Sequence, residues 1–157
     1  MRGNVETRLR KAEAGEIAAT VLAYAGLKRL GLAHRATSLL DTLAFLPAVG
    51  QGAIGFTARA GDEPTHRMLA AIADAETEQA LRAERAFLAV LDGSCRTPIA
   101  GYAQAAAGRL AFRGMVLRTD GSEVFEVEIS GAADDAQRLG AAAGQDLLGR
   151  LPPGVLA

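Results

Sequence analysis

The chain has 157 residues, half of them apolar, with 17 basic and 18 acidic residues and a formal net charge of -1. That length suits one domain or two small ones with a sizeable core. The charge balance argues against a general nucleic-acid surface or a polybasic membrane anchor. Its longest apolar stretches fall short of the roughly 20 residues that span a bilayer. The start, Met1-Arg2-Gly3-Asn4, shows no secretory signal, and the single cysteine, Cys95, forms no internal disulfide or CxxC pair; both features fit a reducing cytoplasm.

Asn4 caps a predicted helix from about Val5 to Ala14, stopped by Gly15. Ile17 to Tyr24 is a continuous apolar run, read as a strand buried on both faces of a parallel sheet. Gly26 to Leu32 is a short helical turn, and Leu39 to Phe45 an ambiguous apolar segment ended by Pro47. In Leu46 to Gly55, glycines and a proline alternate with apolar residues, which reads as a crossover or hinge feeding a short strand at Ala53 to Ala58. The run lacks the G-K-[ST] ending of a phosphate-binding loop. Asp62-Glu63-Pro64 opens a helix to about Ala73.

The longest helix is expected from about Asp74 to Leu91, with Ala80, Glu84, Phe87, Leu88 and Leu91 at helical spacing. The pattern then switches to period two. Ile99 to Ala107, Arg109 to Arg118 and Glu123 to Ser130 read as strands, with Asp120-Gly121 as the second hairpin turn. A last helix covers about Ala133 to Leu148. The fold class is therefore α/β in the first part, followed by α+β: a three-stranded antiparallel sheet with helices.

Cys95 follows a helix and a glycine and precedes Pro98, so it sits on a loop, where a small buried hydrophobe and a reachable thiol are both open readings. His34 and His66 are far apart in polar stretches, and no spacing suggests a metal site. The carboxylates read as solvated surface charge. Arg2 and Arg8 flank the start of the first helix, where the dipole and free N–H groups favour anions. Lys28 and Arg29 follow the expected buried strand, where open α/β sheets bind ligands. These cations read either as solubilising surface groups or as a pocket for a polyanionic small molecule, for which arginine forks suit carboxylates.

The segments Arg2-Gly3-Asn4-Val5…Thr7-Arg8-Leu9, Gly15-Glu16, Leu22-Ala23…Ala25-Gly26-Leu27-Lys28-Arg29-Leu30-Gly31, Leu46-Pro47-Ala48…Gly50-Gln51-Gly52-Ala53, Ala83-Glu84-Arg85-Ala86-Phe87-Leu88 and Gly93…Cys95…Pro98-Ile99 together resemble porphobilinogen deaminase (hydroxymethylbilane synthase). Order and spacing agree over essentially the whole chain.

The resemblance implies a cytoplasmic transferase of tetrapyrrole (heme) biosynthesis. Such enzymes condense four porphobilinogen units on a dipyrromethane cofactor held by a thioether to one cysteine, which Cys95 matches. A soft sulfur nucleophile suits capture of an electrophilic methylene carbon. Arg2, Arg8 and Arg29 match arginines that hold the acetate and propionate groups of cofactor and substrate; Gln51 and Gly52 match the hinge bordering the cleft. Ser94 and Arg96-Thr97 depart from the commoner family residues and leave the thiol in place.

By the same resemblance, residues 1–46 correspond to the second half of a periplasmic-binding-protein-like domain 2, residues 47–73 to a crossover and return segment of domain 1, and residues 74–157 to the C-terminal domain carrying the cysteine. The family's catalytic aspartate falls ahead of the first matched motif, so no catalytic residue is assigned here and the isolated chain is expected to be inactive. Expected partners are porphobilinogen and polypyrrole intermediates, with no nucleic acid, no membrane and no metal. The complete enzyme is expected to be monomeric, with a separately supplied N-terminal half as one arrangement. The alternative is an incompetent fragment or a noncatalytic α+β binding module with a reactive thiol.

Overall fold

The computed structural model describes residues 3–93 and 97–156. The chain divides into two compact units, residues 1–41 and 42–157.

The first unit is built on short helices. Helix α1 spans Val5–Glu13; the Asn4 side chain accepts from the Thr7 N–H at 2.9 Å, and Gly15 follows the helix with φ +72°. Helix α2 spans Tyr24–Arg29, and a 3₁₀ turn spans Ala33–Arg35. Arg35 pairs with Glu13 within this unit. The expected strand at Ile17–Tyr24 is not formed: residues 19–23 carry no ladder, Val21 is 64 % exposed and Tyr24 already begins α2. An apolar run becomes a strand only where a neighbour takes its N–H and C=O groups, and among the described residues every strand lies between Ile99 and Ala132.

The second unit holds the core. Helix α3 spans Glu63–Ala70, with Asp62 accepting from the Thr65 N–H and a proline in the first turn. Helix α4 spans Ala75–Val90 and is capped by Asp74, which accepts from the Thr77 N–H at 2.7 Å. Strands β1 (Ile99–Ala106), β2 (Arg109–Leu117) and β3 (Val124–Ala132) form an antiparallel sheet in the order β1-β2-β3. Helix α5 spans Ala136–Arg150, after a 3₁₀ turn at Ala133–Asp135. The strand expected at Ala53–Ala58 is not formed: these residues carry no ladder, and Ile54 and Phe56 are exposed.

Period two in the strands and period 3.6 in the helices meet in one core. Ala103, Leu110, Phe112, Val116 and Val127 pack with Ala83 and Phe87 of α4, with Leu91 at its C-cap, and with Ala136, Leu139, Ala143 and Leu147 of α5. At its centre Phe87 and Phe112 lie 4.9 Å apart between ring centroids, tilted by 57°. Gly114 makes room for the Phe87 ring: a Cβ there would stand 2.6 Å from its Cζ. The two helices approach more closely still. A Cβ on Gly140 would lie 2.0 Å from the Ala83 carbonyl oxygen, so glycine is what allows α5 to rest on the α4 backbone.

Both hairpins are tight. Asp120-Gly121 turns β2 into β3, with Asp120 accepting from the Ser122 N–H at 3.0 Å and Gly121 at φ +75°. The β1–β2 turn places Ala107 at φ +50° and Gly108 at φ +74°. Positive φ at both central residues is the turn geometry that matches strand twist, and it usually takes Asn or Gly at the first position.

Candidate functional site

The segment from Pro47 to Gly52 is irregular chain held to its surroundings by hydrogen bonds. Strand β1 is an edge strand, so its outward N–H groups have no ladder partner. The Pro47 carbonyl accepts from the Gly101 N–H at 3.0 Å. Two residues further along β1, the Ala103 N–H donates to Glu84 Oε1 at 2.9 Å, and the Gly50 N–H donates to Glu84 Oε2 at 2.7 Å. Pro47–Gly50 thus lies along β1 as a strap, and the Glu84 carboxylate bridges the point where strap and strand part. Beyond it Gly50 and Gly52 take φ of +76° and +83°, and Gln51 and Gly52 are exposed at the turn.

Glu84 is 5 % exposed and is the buried charged side chain of α4. Burial pushes its carboxyl above the ordinary glutamate value of 4.5, opposed by the N–H groups of Ala103 and Gly50. The sequence reading treated carboxylates as surface charge and missed it. The signal was its position, at helical spacing with Ala80 and Phe87 of α4 and with Leu91 at its C-cap.

The connection from α4 to β1 carries Cys95, which lies outside the described residues, as does Arg2. Both ends of this connection are fixed. Asp92 takes φ +49°, the Gly93 N–H donates to the Leu88 carbonyl at 3.1 Å, and a Cβ on Gly93 would meet Leu88 and Ile99 at 2.5 Å. The loop thus leaves the core at a defined point beside the first residue of β1.

The described arginines of the expected pocket lie in the first unit, on different helices. Arg8 is on α1, half-buried, with its Nε donating to the Gly3 carbonyl at 3.0 Å. Arg29 is exposed in the last turn of α2, next to Lys28, whose Nζ lies 5.0 Å from the Tyr24 ring centroid. Gln51, Gly52 and the residues flanking Cys95 belong to the second unit. His34 and His66 are exposed, and among the described residues no group of three or more His, Cys, Asp or Glu could hold a metal. Among the same residues no helix is long and apolar enough to cross a membrane.

The outer face of the sheet carries a second polar constellation. Arg113 on β2 stands opposite Glu128 on β3, pairs with Glu126 at 2.9 Å and Glu128 at 3.4 Å, and donates to the Leu43 carbonyl at 2.6 Å. This cluster staples the chain before the strap onto the sheet.

Two family models match the chain. One, described as "Porphobilinogen deaminase, dipyromethane cofactor binding domain", matches residues 1–67; the other, described as "Porphobilinogen deaminase, C-terminal domain", matches residues 78–149. Among curated proteins, a porphobilinogen deaminase of Nitrobacter hamburgensis is 55% identical over 147 residues, covering 94% of this chain and 46% of that protein. A porphobilinogen deaminase of Nitrobacter winogradskyi is 54% identical over 147 residues with the same coverage. The chain therefore spans about half the length of the relatives it matches.

Proposed function

This chain belongs to the porphobilinogen deaminase family, and from that premise we propose that it carries the cofactor-attachment part of a hydroxymethylbilane synthase. The reaction is the stepwise condensation of four porphobilinogen units, a transferase step of tetrapyrrole (heme) biosynthesis in the cytoplasm. The observation that carries this reading is the α4–β1 connection. It holds the chain's one cysteine, and its root at Gly93 is pressed between Leu88 and Ile99.

The residues present suit a dipyrromethane: one thiol for a thioether, and guanidinium forks for its carboxylates. When bound, the dipyrromethane supplies a nucleophilic pyrrole carbon from which the chain is built. Cys95 holds it through sulfur, on the α4–β1 connection, which leaves the core at Gly93. Arg2, Arg8 and Arg29 bind the acetate and propionate groups of cofactor and substrate. Gln51 and Gly52, beyond the strap, border the cleft.

We take the general acid–base carboxylate to come from the part of the relatives' length that this chain does not span. Residues 1–46 act as half of a periplasmic-binding-protein-like α/β domain, residues 47–73 as the crossover and return segment, and residues 74–157 as the cofactor-bearing domain. The complete enzyme acts as a monomer.

Intact-mass measurement tests the attachment. Cells supply the chain together with the remaining family sequence, and the purified protein is weighed with and without Cys95→Ala. An added mass equal to dipyrromethane, absent from Cys95→Ala, is the expected result. The same adduct persisting after Cys95→Ala overturns the assignment.

A further inference from the structure

Glu84 joins two parts of the chain that the family models match separately: Gly50 lies in the span 1–67, and Glu84 and Ala103 lie in the span 78–149. All three belong to one compact unit, residues 42–157. We propose that Glu84 is a positioning residue whose carboxylate anchors the Pro47–Gly52 strap to the edge of β1 and so sets where Gln51 and Gly52 stand. The functional side of this inference rests on the reading of Gln51 and Gly52 as the border of the cleft.

The geometry demands a carboxylate. At the site where strap and strand diverge, two backbone N–H groups face one side chain, 2.7 and 2.9 Å from its two oxygens. A carboxylate offers an acceptor to each. Glutamine offers one acceptor and places an NH₂ donor against the other N–H, while alanine leaves both donors without a partner in a buried place. Strap and strand are further joined by the Pro47 carbonyl and the Gly101 N–H at 3.0 Å, and Val49 packs against the core. These contacts fix the start of the strap. Gly50 is its last anchored residue before the exposed Gln51-Gly52 turn, so the Glu84 bond defines the point from which that turn departs. Glycine at positive φ on both sides of Gln51 makes this turn free to swing once the anchor is lost.

The signature is spectroscopic, because a residue that merely packs would not give it. In the whole chain, followed by amide NMR as pH is varied, the Gly50 and Ala103 amide protons should shift together. They should share one midpoint, that of Glu84, above the ordinary glutamate value. Glu84→Gln should abolish both movements. It should also speed hydrogen exchange at Gly50 by about tenfold to a hundredfold, the worth of one charge-assisted hydrogen bond, while the β2–β3 ladder keeps its protection.

Amide shifts that stay flat, or that follow different midpoints, overturn the anchor. So does unchanged Gly50 exchange in a folded Glu84→Gln. If Glu84→Gln fails to fold, the titration of the unaltered chain decides the matter by itself. Adduct mass at Cys95 is read separately: a common midpoint with no cofactor adduct overturns the cofactor reading and supports the anchor, and an adduct with flat amides does the reverse.

Discussion

Replacing Gly140 with alanine probes the closest contact in the fold. The new Cβ would lie 2.0 Å from the Ala83 carbonyl oxygen, 2.7 Å from its carbon and 2.9 Å from its Cα, and ordinary contact begins at 3.4 Å. The obstacle is main chain, so no rotamer change relieves it, and α5 must withdraw from α4 by about 1.4 Å at this point, the difference between 2.0 and 3.4 Å. A gap of even about 0.5–1 Å forfeits a quarter to a half of the dispersion energy of the atoms it separates, and this one is wider. Overpacking of this kind costs about 3 kcal/mol, the upper end of the usual range. Alanine returns about 1 kcal/mol through its better helix propensity. The net loss is roughly 2 kcal/mol, or a fall in Tm of about 6–10 °C for a unit of this size. Thermal melts followed by circular dichroism measure it, with Gly149→Ala as the control. Gly149 lies in the same helix with nothing within 4 Å of its added Cβ, so only propensity acts there and stability should rise slightly. If Gly140→Ala matched Gly149→Ala in sign and size, the reasoning about the seam would be refuted.

Further expectations follow from the same core and its edges. Phe87→Ala empties the slot shaped by Gly114 and Phe112 and should cost about 3–5 kcal/mol, read by chemical denaturation; a loss below 1 kcal/mol would mean the slot collapses freely. Ala107→Asn relieves a left-handed alanine at the first hairpin and should raise stability by about 1 kcal/mol, with unchanged or lowered Tm counting against it. Burial pushes the Glu84 carboxyl up more than the Ala103 and Gly50 N–H groups hold it down, so the folded chain carries a net cost for the ionised carboxylate that is absent below the ordinary value of 4.5 and grows as pH rises through the folded value. Denaturation across pH should therefore show the stability of the unaltered chain gaining on Glu84→Gln as pH falls, and a constant difference would contradict the shift.

The C-terminal part was legible because each local signal agreed with its neighbours. Phe125, Val127 and Ile129 alternate with Glu126 and Glu128, and Asp120-Gly121 stands where the chain must reverse. The resulting sheet closes on helices whose apolar faces have the matching period. Ile17–Tyr24 and Ala53–Ala58 misled because hydrophobicity reports what a segment prefers to bury, while a ladder depends on a neighbour that composition does not reveal. The strap was read as a crossover feeding a strand. Its actual course along β1 depends on two backbone donors and on one glutamate from a distant helix, a long-range arrangement that local reading does not reach. The Asn4 cap and the Gly15 stop needed only local chemistry, and they were readable for that reason.

The strap also bears on how the protein behaves in company. An edge strand with open N–H groups is a template on which a second chain can add a strand, and sheets that grow this way lead to aggregates. On one side Pro47 and Glu84 occupy the Gly101 and Ala103 N–H groups, two outward donors of β1 that a newcomer would use. On the other, Arg150 caps the Glu126 carbonyl of β3 at 2.9 Å, and Glu126 and Glu128 set negative charge along that strand. Unseating the strap would thus expose a pairing surface as well as moving a turn, and its first symptom at high concentration would be turbidity.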